Sequence, residues 1–415
     1  MPVLVDAVLA AARSADASDI HLVPAESGLA MAWRIDGVLQ PVKVFPREIA
    51  GNVVARLKVL AELLTYKTDI PQEGRIRQTG GEVEIRVSTF PTLFGEKAVV
   101  RLFVASGRYR YLEELGLHDD LFDSLIALTG ETGGVVLVTG PAGSGKTTTL
   151  YACLRELSGA RDCQTETEGS QTAFQERHPD SSRSSSDDGT TDDAASAPRT
   201  SHKSIVTLED PVEAVLPGVA QSQIKPAAGF DYQTGLKSLL RQDPDVIMVG
   251  EIRDRPTAEI VFQAALTGHL VLTTFHAGSA AEAVGRLLDM GIEPYQLRSG
   301  ILAVLNQRLV RRLCGCATVS HDPGDRLELE ADCVRLPVGC GECSGTGYRG
   351  RLLLAEMLRP DMKGLGAAIL SRHSSHEIER LAISAGMTPR RQRALAAVAA
   401  GHTSPAEVRR VLGFR

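Results

Sequence analysis

A glycine-rich segment at residues 140–151 constrains this chain more than any other. It reads G-P-A-G-S-G-K-T-T-T-L-Y and follows the apolar run at residues 135–139. A strand, a glycine-rich loop and a helix start allow backbone N–H groups to surround a phosphate chain, and the helix adds its positive end. In this pattern Lys146 approaches the β- and γ-phosphates, and the Thr147 hydroxyl holds Mg²⁺.

The segment therefore predicts binding of a nucleoside triphosphate with Mg²⁺. The predicted nucleotide-binding residues are Gly140, Pro141, Ala142, Gly143, Ser144, Gly145, Lys146, Thr147 and Thr148.

The composition is that of a globular protein with two or three domains, since 43% of the 415 residues are hydrophobic and 23% are charged. A net charge of −6 argues weakly against a broad nucleic-acid surface. The chain shows no apolar stretch long enough to predict a transmembrane helix. The segment at residues 2–12 carries Asp6 and lacks a basic leader, so no signal peptide is expected.

The first predicted unit covers residues 1–103 and is a small α/β module. Apolar residues recur at helical spacing within 47–64, and residues 82–88 alternate with the period of a strand. A polar linker at 104–111 separates this module from the next unit.

The second predicted unit covers residues 112–312 and contains the glycine-rich loop in an α/β pattern typical of a parallel sheet. Within it, residues 160–203 contain no Leu, Ile, Val, Met or Tyr. Such a segment cannot bury enough apolar surface to order itself, so we expect a disordered insertion. A tolerated insertion and a regulatory segment are both compatible with this composition.

Acidic residues follow two apolar runs of the predicted sheet. Glu209 follows residues 205–208, and Glu251 follows residues 246–249. Because parallel strands end at one edge of a sheet, both acids are expected beside the glycine-rich loop. One carboxylate near Mg²⁺ and another near an attacking water are what hydrolysis requires. The alternative is that both acids are simply solvated at strand ends.

Two histidines bracket a third apolar strand at residues 270–274. His269 precedes this strand and His276 follows it closely. In a sheet that already carries a phosphate loop, they are candidates for sensing the nucleotide phosphates. The alternative is that each is an ordinary surface or core histidine.

Several longer segments resemble one known family. Residues 205–213, 238–254 and 264–276 resemble the aspartate box, Walker B motif and histidine box of the type II secretion and type IV pilus assembly ATPases, of the general secretion pathway protein E type. The similarity continues upstream through residues 17–21, 34–37, 56–61 and 71–76. It covers nearly the whole chain outside the insertion.

This resemblance implies a hexamer whose subunits pair a PAS-like N-terminal α/β domain with a RecA-like P-loop ATPase domain. It makes Glu209 the general base, and Glu251 the residue that orders Mg²⁺. His269 and His276 would report the γ-phosphate. Arginines of the N-terminal domain would close over the nucleotide, where guanidinium groups stabilise developing phosphate charge. Three arginines stand at the matching places, although each could be a solvated strand residue: Arg75, Arg86 and Arg101.

Cysteines mark a third unit, with a Cys-bearing subdomain at residues 313–350 and a helical subdomain at 351–415. The chain has seven cysteines, and two close pairs suggest a metal site in a reducing cytoplasm rather than a disulfide framework. The pair Cys340 and Cys343 resembles half of the family's tetracysteine zinc motif. The other pair, Cys314 and Cys316, has C-x-C spacing instead of C-x-x-C.

Four thiolates suit tetrahedral Zn²⁺, but C-x-C departs from the usual zinc-knuckle geometry. Cys333 is an alternative ligand, and a degenerate subdomain without metal is the other alternative. Cys153 and Cys163 have no predicted role.

The resemblance predicts a cytoplasmic ATPase, peripheral to the inner membrane, that powers pseudopilus or type IV pilus assembly with membrane-platform partners. The chain begins almost at the PAS-like module, so its recruitment to the membrane stays open. A pilus retraction ATPase is a close alternative, but the segment 314–343 favours assembly. A nucleic-acid translocase is an alternative of another class, although the single Trp and the lack of an aromatic–basic cluster speak against it. A non-hydrolysing scaffold is disfavoured by the intact loop and acids.

Overall fold

The computed structural model describes residues 2–76, 85–102, 111–159, 203–327 and 333–413. The predicted linker at 104–111 and the predicted insertion at 160–203 lie outside these ranges, apart from their last residues. Cys163 also lies outside the described residues.

The N-terminal part of the chain forms an antiparallel six-stranded sheet, the N-terminal sheet, in the order β3-β2-β1-β6-β5-β4. Its elements are α1 (Pro2–Ser14), β1 (Asp19–Ala25), β2 (Gly28–Ile35), β3 (Val38–Phe45), α2 (Arg47–Leu60), β4 (Gln72–Ile76), β5 (Ile85–Thr92) and β6 (Gly95–Leu102).

Alternation along the strands separates the two faces of the N-terminal sheet. Ile20 and Leu22 on β1 are buried, and they join a core with Val100 on β6 and with residues of α1 and α2. Successive side chains of a strand point to opposite faces, so the intervening residues point away from this core. The face opposite the two helices therefore carries the polar side chains of these strands.

A second sheet, the central sheet, has seven strands in the order β15-β12-β7-β11-β10-β8-β9. Only β15 is antiparallel to its neighbour. Its strands are β7 (Gly134–Thr139), β8 (Ile205–Glu209), β9 (Ala220–Gln223), β10 (Val246–Val249), β11 (Leu270–Phe275), β12 (Ile301–Leu313) and β15 (Tyr348–Leu358). The separate hairpin of β13 (Thr318–Ser320) and β14 (Val334–Leu336) lies between β12 and β15 in sequence.

Helices connect and cover the central sheet. They are α3 (Asp119–Thr129), α4 (Lys146–Ser158), α5 (Tyr232–Leu239), α6 (Arg255–Leu266), α7 (Ala280–Asp289), α8 (Pro294–Gly300), α9 (Leu365–Leu370), α10 (Ser375–Ser384), α11 (Arg390–Ala399) and α12 (Pro405–Leu412). Short 3₁₀ helices occupy Leu112–Leu115, Pro226–Ala228, Pro323–Arg326 and Gly341–Cys343.

The parallel strands β7, β10 and β11 are buried along their whole length. A strand covered on both faces favours apolar residues on both of its sides, which explains the nearly continuous apolar runs in the sequence. Their register places Thr139 opposite Phe275, and Val249 opposite both Thr273 and Leu208. The carboxyl ends of four strands therefore meet at one edge, and the predicted mixed α/β fold is confirmed.

One buried acid joins α12 to the central sheet. The Glu407 carboxylate is 1% exposed and accepts hydrogen bonds from Arg311 of β12 and from Arg410. Burial alone raises the pKa of Glu407, but the donors from Arg410 and Arg311 outweigh it and lower the pKa below its usual value. The fold therefore stabilises the ionised form of this acid.

We expect Glu407→Gln to lower the free energy of unfolding at pH 7 by about 3–5 kcal/mol, because both arginines lose a buried charged partner. Since the pKa of Glu407 is depressed on folding, its contribution is complete above the unfolded pKa of about 4.3 and disappears as the pH falls through the folded pKa. The gap between the unfolding midpoints of wild type and variant should therefore shrink below about pH 4. Glu259→Gln, at an exposed pair on α6, is the matched control. A gap that stays constant into acid would contradict this assignment.

Candidate active site

The glycine-rich loop joins the carboxyl end of β7 to the first turn of α4. Gly143 and Gly145 have φ angles of 73° and 88°, which only glycine adopts readily. The Lys146 ammonium donates to the carbonyls of Gly140 and Pro141 at 3.0 and 2.9 Å. The loop therefore curls around its own lysine at the start of a helix, in the arrangement that binds phosphate groups.

Buried polar side chains of β12 form hydrogen bonds with the glycine-rich loop and with the end of β7. Gln307 is fully buried, donates to the Ser144 carbonyl at 2.8 Å and accepts from the Thr149 hydroxyl at 3.1 Å. The neighbouring Asn306 donates to Thr139 Oγ1 at 2.7 Å. Sequence reasoning missed this pair, although two amides directly after the apolar run at residues 301–305 are a signal of a buried polar contact.

Burial and neighbouring charged groups shift the pKa of Lys146. Burial lowers the pKa of Lys146, and the nearby guanidinium of Arg308 lowers it further. The carboxylates of Glu251 and Glu213 act in the opposite direction. Two acids from two different loops therefore lie within electrostatic range of the phosphate-loop lysine.

Glu251 occupies the position expected from its place after β10. Its side chain is 20% exposed, pairs with Arg253, and has its second oxygen 3.4 Å from His276 Nε2. Arg253 also lies 3.4 Å from Asp210. The structure thus brings Glu251, His276 and Lys146 to the same edge, with Thr147 beside Lys146 at the start of α4.

Glu209, the predicted general base, is the last residue of β8 and is 2% exposed. Its carboxylate accepts hydrogen bonds from the Tyr151 hydroxyl, from Thr207 Oγ1 at 2.6 Å and from Gln221 Nε2 at 3.1 Å. Burial raises the pKa of the Tyr151 phenol, and Glu209 raises it further, so the tyrosine remains a donor. The Glu209 carboxylate is consequently engaged by three protein groups.

Glu213 lies four residues further along and is exposed to solvent. The protein around its carboxyl desolvates it and, with Glu209, raises its pKa, whereas Arg101, Arg86 and Lys146 lower it. Glu213 therefore interacts electrostatically with the lysine of the phosphate loop and with two N-terminal arginines. The sequence analysis included Glu213 in the segment 205–213 that resembles the aspartate box, but did not select it as a site residue.

The three predicted arginines form one line across the N-terminal sheet. Arg75 pairs with Arg86, Arg86 with Arg101, and Arg101 with Asp19 in the strand register. Asp19 in turn pairs with Arg34 and lies 3.1 Å from Arg101 and 3.4 Å from Arg34. We call this line, Arg75–Arg86–Arg101–Asp19–Arg34, the arginine row. Directly opposed residues share a face, so the sheet presents these side chains together.

His269 lies away from the phosphate loop, Glu251 and His276 of the same chain. It precedes β11, and its ring nitrogen Nδ1 is 2.9 Å from the Ala264 carbonyl. The six residues of β11 separate it from His276, and a strand of that length spans roughly 20 Å. The structure therefore places only one of the two predicted histidines at the edge that carries the phosphate loop.

Four cysteines converge before β15. We call Cys314, Cys316, Cys340 and Cys343 the cysteine quartet; their sulfurs all lie within 4.8 Å of one another. Three of the sulfur–sulfur distances are 3.8, 3.9 and 3.7 Å. Zn–S bonds of about 2.3 Å in a tetrahedron require sulfurs about 3.8 Å apart. The C-x-C spacing is therefore compatible with a tetrahedral site.

The donors around the quartet favour a thiolate. Burial opposes ionisation of Cys343, but N–H groups of Cys340 and Gly347 lower its pKa to about 6. Cys333, the alternative ligand, is exposed and lies outside the quartet. Cys153 is buried within α4, where burial raises its pKa to about 12. The residues thus fit a zinc ion without a contribution from Cys333.

Over the ranges that the structure describes, no helix is both long enough and apolar enough to span a bilayer.

A phosphate loop flanked by acids at the edge of a parallel sheet defines a P-loop ATPase. The model of the "Type II/IV secretion system protein" family matches residues 1–165 and 191–410. The chain therefore belongs to the type II/IV secretion system protein family.

Several similar proteins align with most of this chain. It is 39% identical to the type II secretion system protein HxcR of Pseudomonas aeruginosa over 98% of this chain and 76% of that one. It is 40% identical to type II secretion system protein E of the same organism, over 92% and 70%. It is 36% identical to the type IV pilus assembly ATPase PilB of Thermus thermophilus, over 95% of this chain but 41% of that one.

Solved structures share the fold at lower identity. The ATPase DotB of Yersinia pseudotuberculosis aligns over 99% of this chain and 92% of its own, with a TM-score of 0.66 and 21% identity. The pilus retraction motor PilT, solved with bound ADP, aligns over 90% and 87%, with a TM-score of 0.55 and 23% identity.

We expect Gln307→Ala to weaken nucleotide binding, because the Ser144 carbonyl and the Thr149 hydroxyl lose their buried partner. A buried polar group without a partner costs about 1–3 kcal/mol, so the Kd of a fluorescent ADP analogue should rise by about 5- to 150-fold. Arg312→Gln, at an exposed position of the same strand, serves as the control. An unchanged Kd in a folded Gln307→Ala protein would show that β12 does not shape the loop.

Proposed function

We propose that this chain is the ATP-hydrolysing motor subunit of a machine that assembles a pseudopilus for type II secretion or a type IV pilus. The observation that carries the proposal is the convergence of the phosphate loop, Glu251, Glu213 and two N-terminal arginines in one place. The names of relatives that are 36–40% identical supply the process.

In this proposal the N-terminal sheet with its two helices is a PAS-like domain, and the central sheet is a RecA-like ATPase domain. The loop residues bind the triphosphate through their N–H groups and Lys146. Thr147 and Glu251 are the residues that would hold Mg²⁺, which neutralises phosphate charge when bound. His276 Nε2 lies 3.4 Å from Glu251 Oε2, and in this proposal His276 responds to the γ-phosphate.

We favour Glu213 over Glu209 as the group that activates water. The Glu209 carboxylate is occupied by Tyr151, Thr207 and Gln221, whereas Glu213 is an exposed residue whose carboxyl has a raised pKa, which suits a general base. The Tyr151 hydroxyl accepts the Glu213 N–H at 3.1 Å and donates to Glu209. Glu209 therefore serves to hold Tyr151, and through it the backbone at Glu213.

Arg86 and Arg101 supply positive charge from the other domain. Both lower the pKa of Glu213, which supports a position of their guanidinium groups within electrostatic range of the site. Such groups stabilise charge that develops on the phosphates during transfer. Movement of the N-terminal domain would then be coupled to the nucleotide state, with Arg75 at the far end of the row.

The motor is proposed to be a homohexamer in the cytoplasm, held at the inner membrane by platform proteins. Assembly is favoured over retraction because the matched relatives carry secretion and assembly names, and because the cysteine quartet is present. The likeness to PilT concerns the fold alone. No observation in the described residues favours a nucleic-acid substrate.

ATP turnover measured across size-exclusion fractions tests this proposal. We expect activity in a hexamer-sized peak, and a fall in kcat of about 10²–10⁴-fold in Glu213→Gln with ATP binding retained, because the base is lost. Glu209→Gln should cost less, and Glu259→Gln should be neutral. Equal turnover in a monomer peak would contradict the ring motor. A larger loss in Glu209→Gln than in Glu213→Gln would return the role of base to Glu209. Stimulation by a saturably bound nucleic acid would instead support a translocase.

The cysteine quartet is proposed to hold one structural Zn²⁺. We expect about one zinc per chain by elemental analysis at the stoichiometry of a single four-thiolate site. Cys343→Ser should lose the metal and lower the thermal midpoint, whereas Cys333→Ser should retain both. Zinc-free wild-type protein with the same thermal midpoint after chelation would show that the quartet is not a metal site.

A further inference from the structure

The turn between β2 and β3 reaches across to the strand that follows the cysteine quartet. Asp36 Oδ2 accepts the N–H of Gly350 at 2.9 Å, and Asp36 Oδ1 lies 3.5 Å from Arg351 Nε. We call this contact of Asp36 with Gly350 and Arg351 the Asp36 clasp. It joins the N-terminal sheet to the first residues of β15 in the central sheet.

The Gly350 N–H is available because the β12–β15 pairing contains a bulge. Arg311 pairs with Arg351 and Leu313 with Tyr348, so two residues of β15 face one residue of β12. A bulge leaves backbone groups out of the ladder, and Asp36 satisfies one of them. The turn itself is fixed, since Arg34 donates to the Gly37 carbonyl at 3.1 Å.

The Asp36 clasp lies close to the arginine row on one side and to the cysteine quartet on the other. On the N-terminal side, Asp36 lies two residues beyond Arg34, which is the end of the arginine row. On the other side, Gly347 donates to Cys343 Sγ at 3.2 Å and accepts from the Cys314 N–H at 3.0 Å. The start of β15 is therefore anchored on the cysteine quartet, only three residues before Gly350.

The geometry points to Asp36 as a positioning residue: the clasp sets how closely the sheet that carries Arg86 and Arg101 approaches Glu213. The arginine row spans adjacent hydrogen-bonded strands, so a displacement at Arg34 is carried along the sheet to Arg86. The kinetic consequence rests on the proposed ATPase function. The contact itself is measurable without any turnover.

Two measurements on this chain separate the contact itself from its kinetic consequence. Hydrogen exchange at the Gly350 amide should accelerate in Asp36→Ala, and should remain slow in Asp36→Asn, which keeps an oxygen acceptor. The kcat of Asp36→Ala should fall by about tenfold with little change in KM for ATP, because phosphate binding by the loop is untouched. Glu26→Ala removes the same charge from an exposed turn at the opposite end of the sheet and should change neither value.

A double-mutant comparison distinguishes positioning from general destabilisation. In an Arg86→Ala/Arg101→Ala background, Asp36→Ala should cause no further loss of kcat, because the groups that it positions are gone. An additive loss in that background, or an unchanged Gly350 exchange rate in Asp36→Ala, would overturn the inference. Absence of turnover in the wild type would instead defeat the proposed function, and the exchange experiment would still decide whether the clasp exists.

Discussion

The meeting of four parallel strand ends at one edge is the constraint on which this site depends. β7 supplies the phosphate loop, β8 the acidic segment, β10 Glu251 and β11 His276. None of these groups is near another in sequence, and only the strand register brings them together. The buried amides of Asn306 and Gln307 then fix the loop against β12. Removal of a buried partner is costly, so the loop is held in shape before any phosphate arrives.

The strands of the central sheet, and the positions of Glu209 and Glu251 at strand ends, could be predicted because those features are local. Continuous apolar runs indicated buried parallel strands, and residues 205–209 and 246–249 are strands in the structure. The expected helix within 47–64 is α2, which ends at Leu60. Arg75, Arg86 and Arg101 were selected by resemblance, and their alignment across three strands is seen only in the structure, since no local pattern reveals which residues face each other.

What the sequence could not reveal depends on contacts between distant segments. Glu209 and Glu213 look equivalent in sequence, and only the enclosure of Glu209 by Tyr151, Thr207 and Gln221 tells them apart. His269 and His276 also look equivalent, but opposite ends of a strand are opposite edges of a sheet. For the cysteines, spacing alone made C-x-C look unsuitable, whereas the backbone between β12 and β15 brings the four sulfurs to tetrahedral distances.

Charge explains why the two sheets are expected to move relative to each other as nucleotide binds. Arg86 and Arg101 of the N-terminal sheet lower the pKa of Glu213, and the same acid raises the pKa of Lys146 in the phosphate loop. A triphosphate brings several negative charges to this place, so the arginines gain a second and stronger partner than Glu213. Only an interaction that differs between two states can shift their populations. In the proposed function, exchange of the arginines between a carboxylate and a phosphate is such a difference, and it would link the position of the N-terminal domain to the chemistry of the loop.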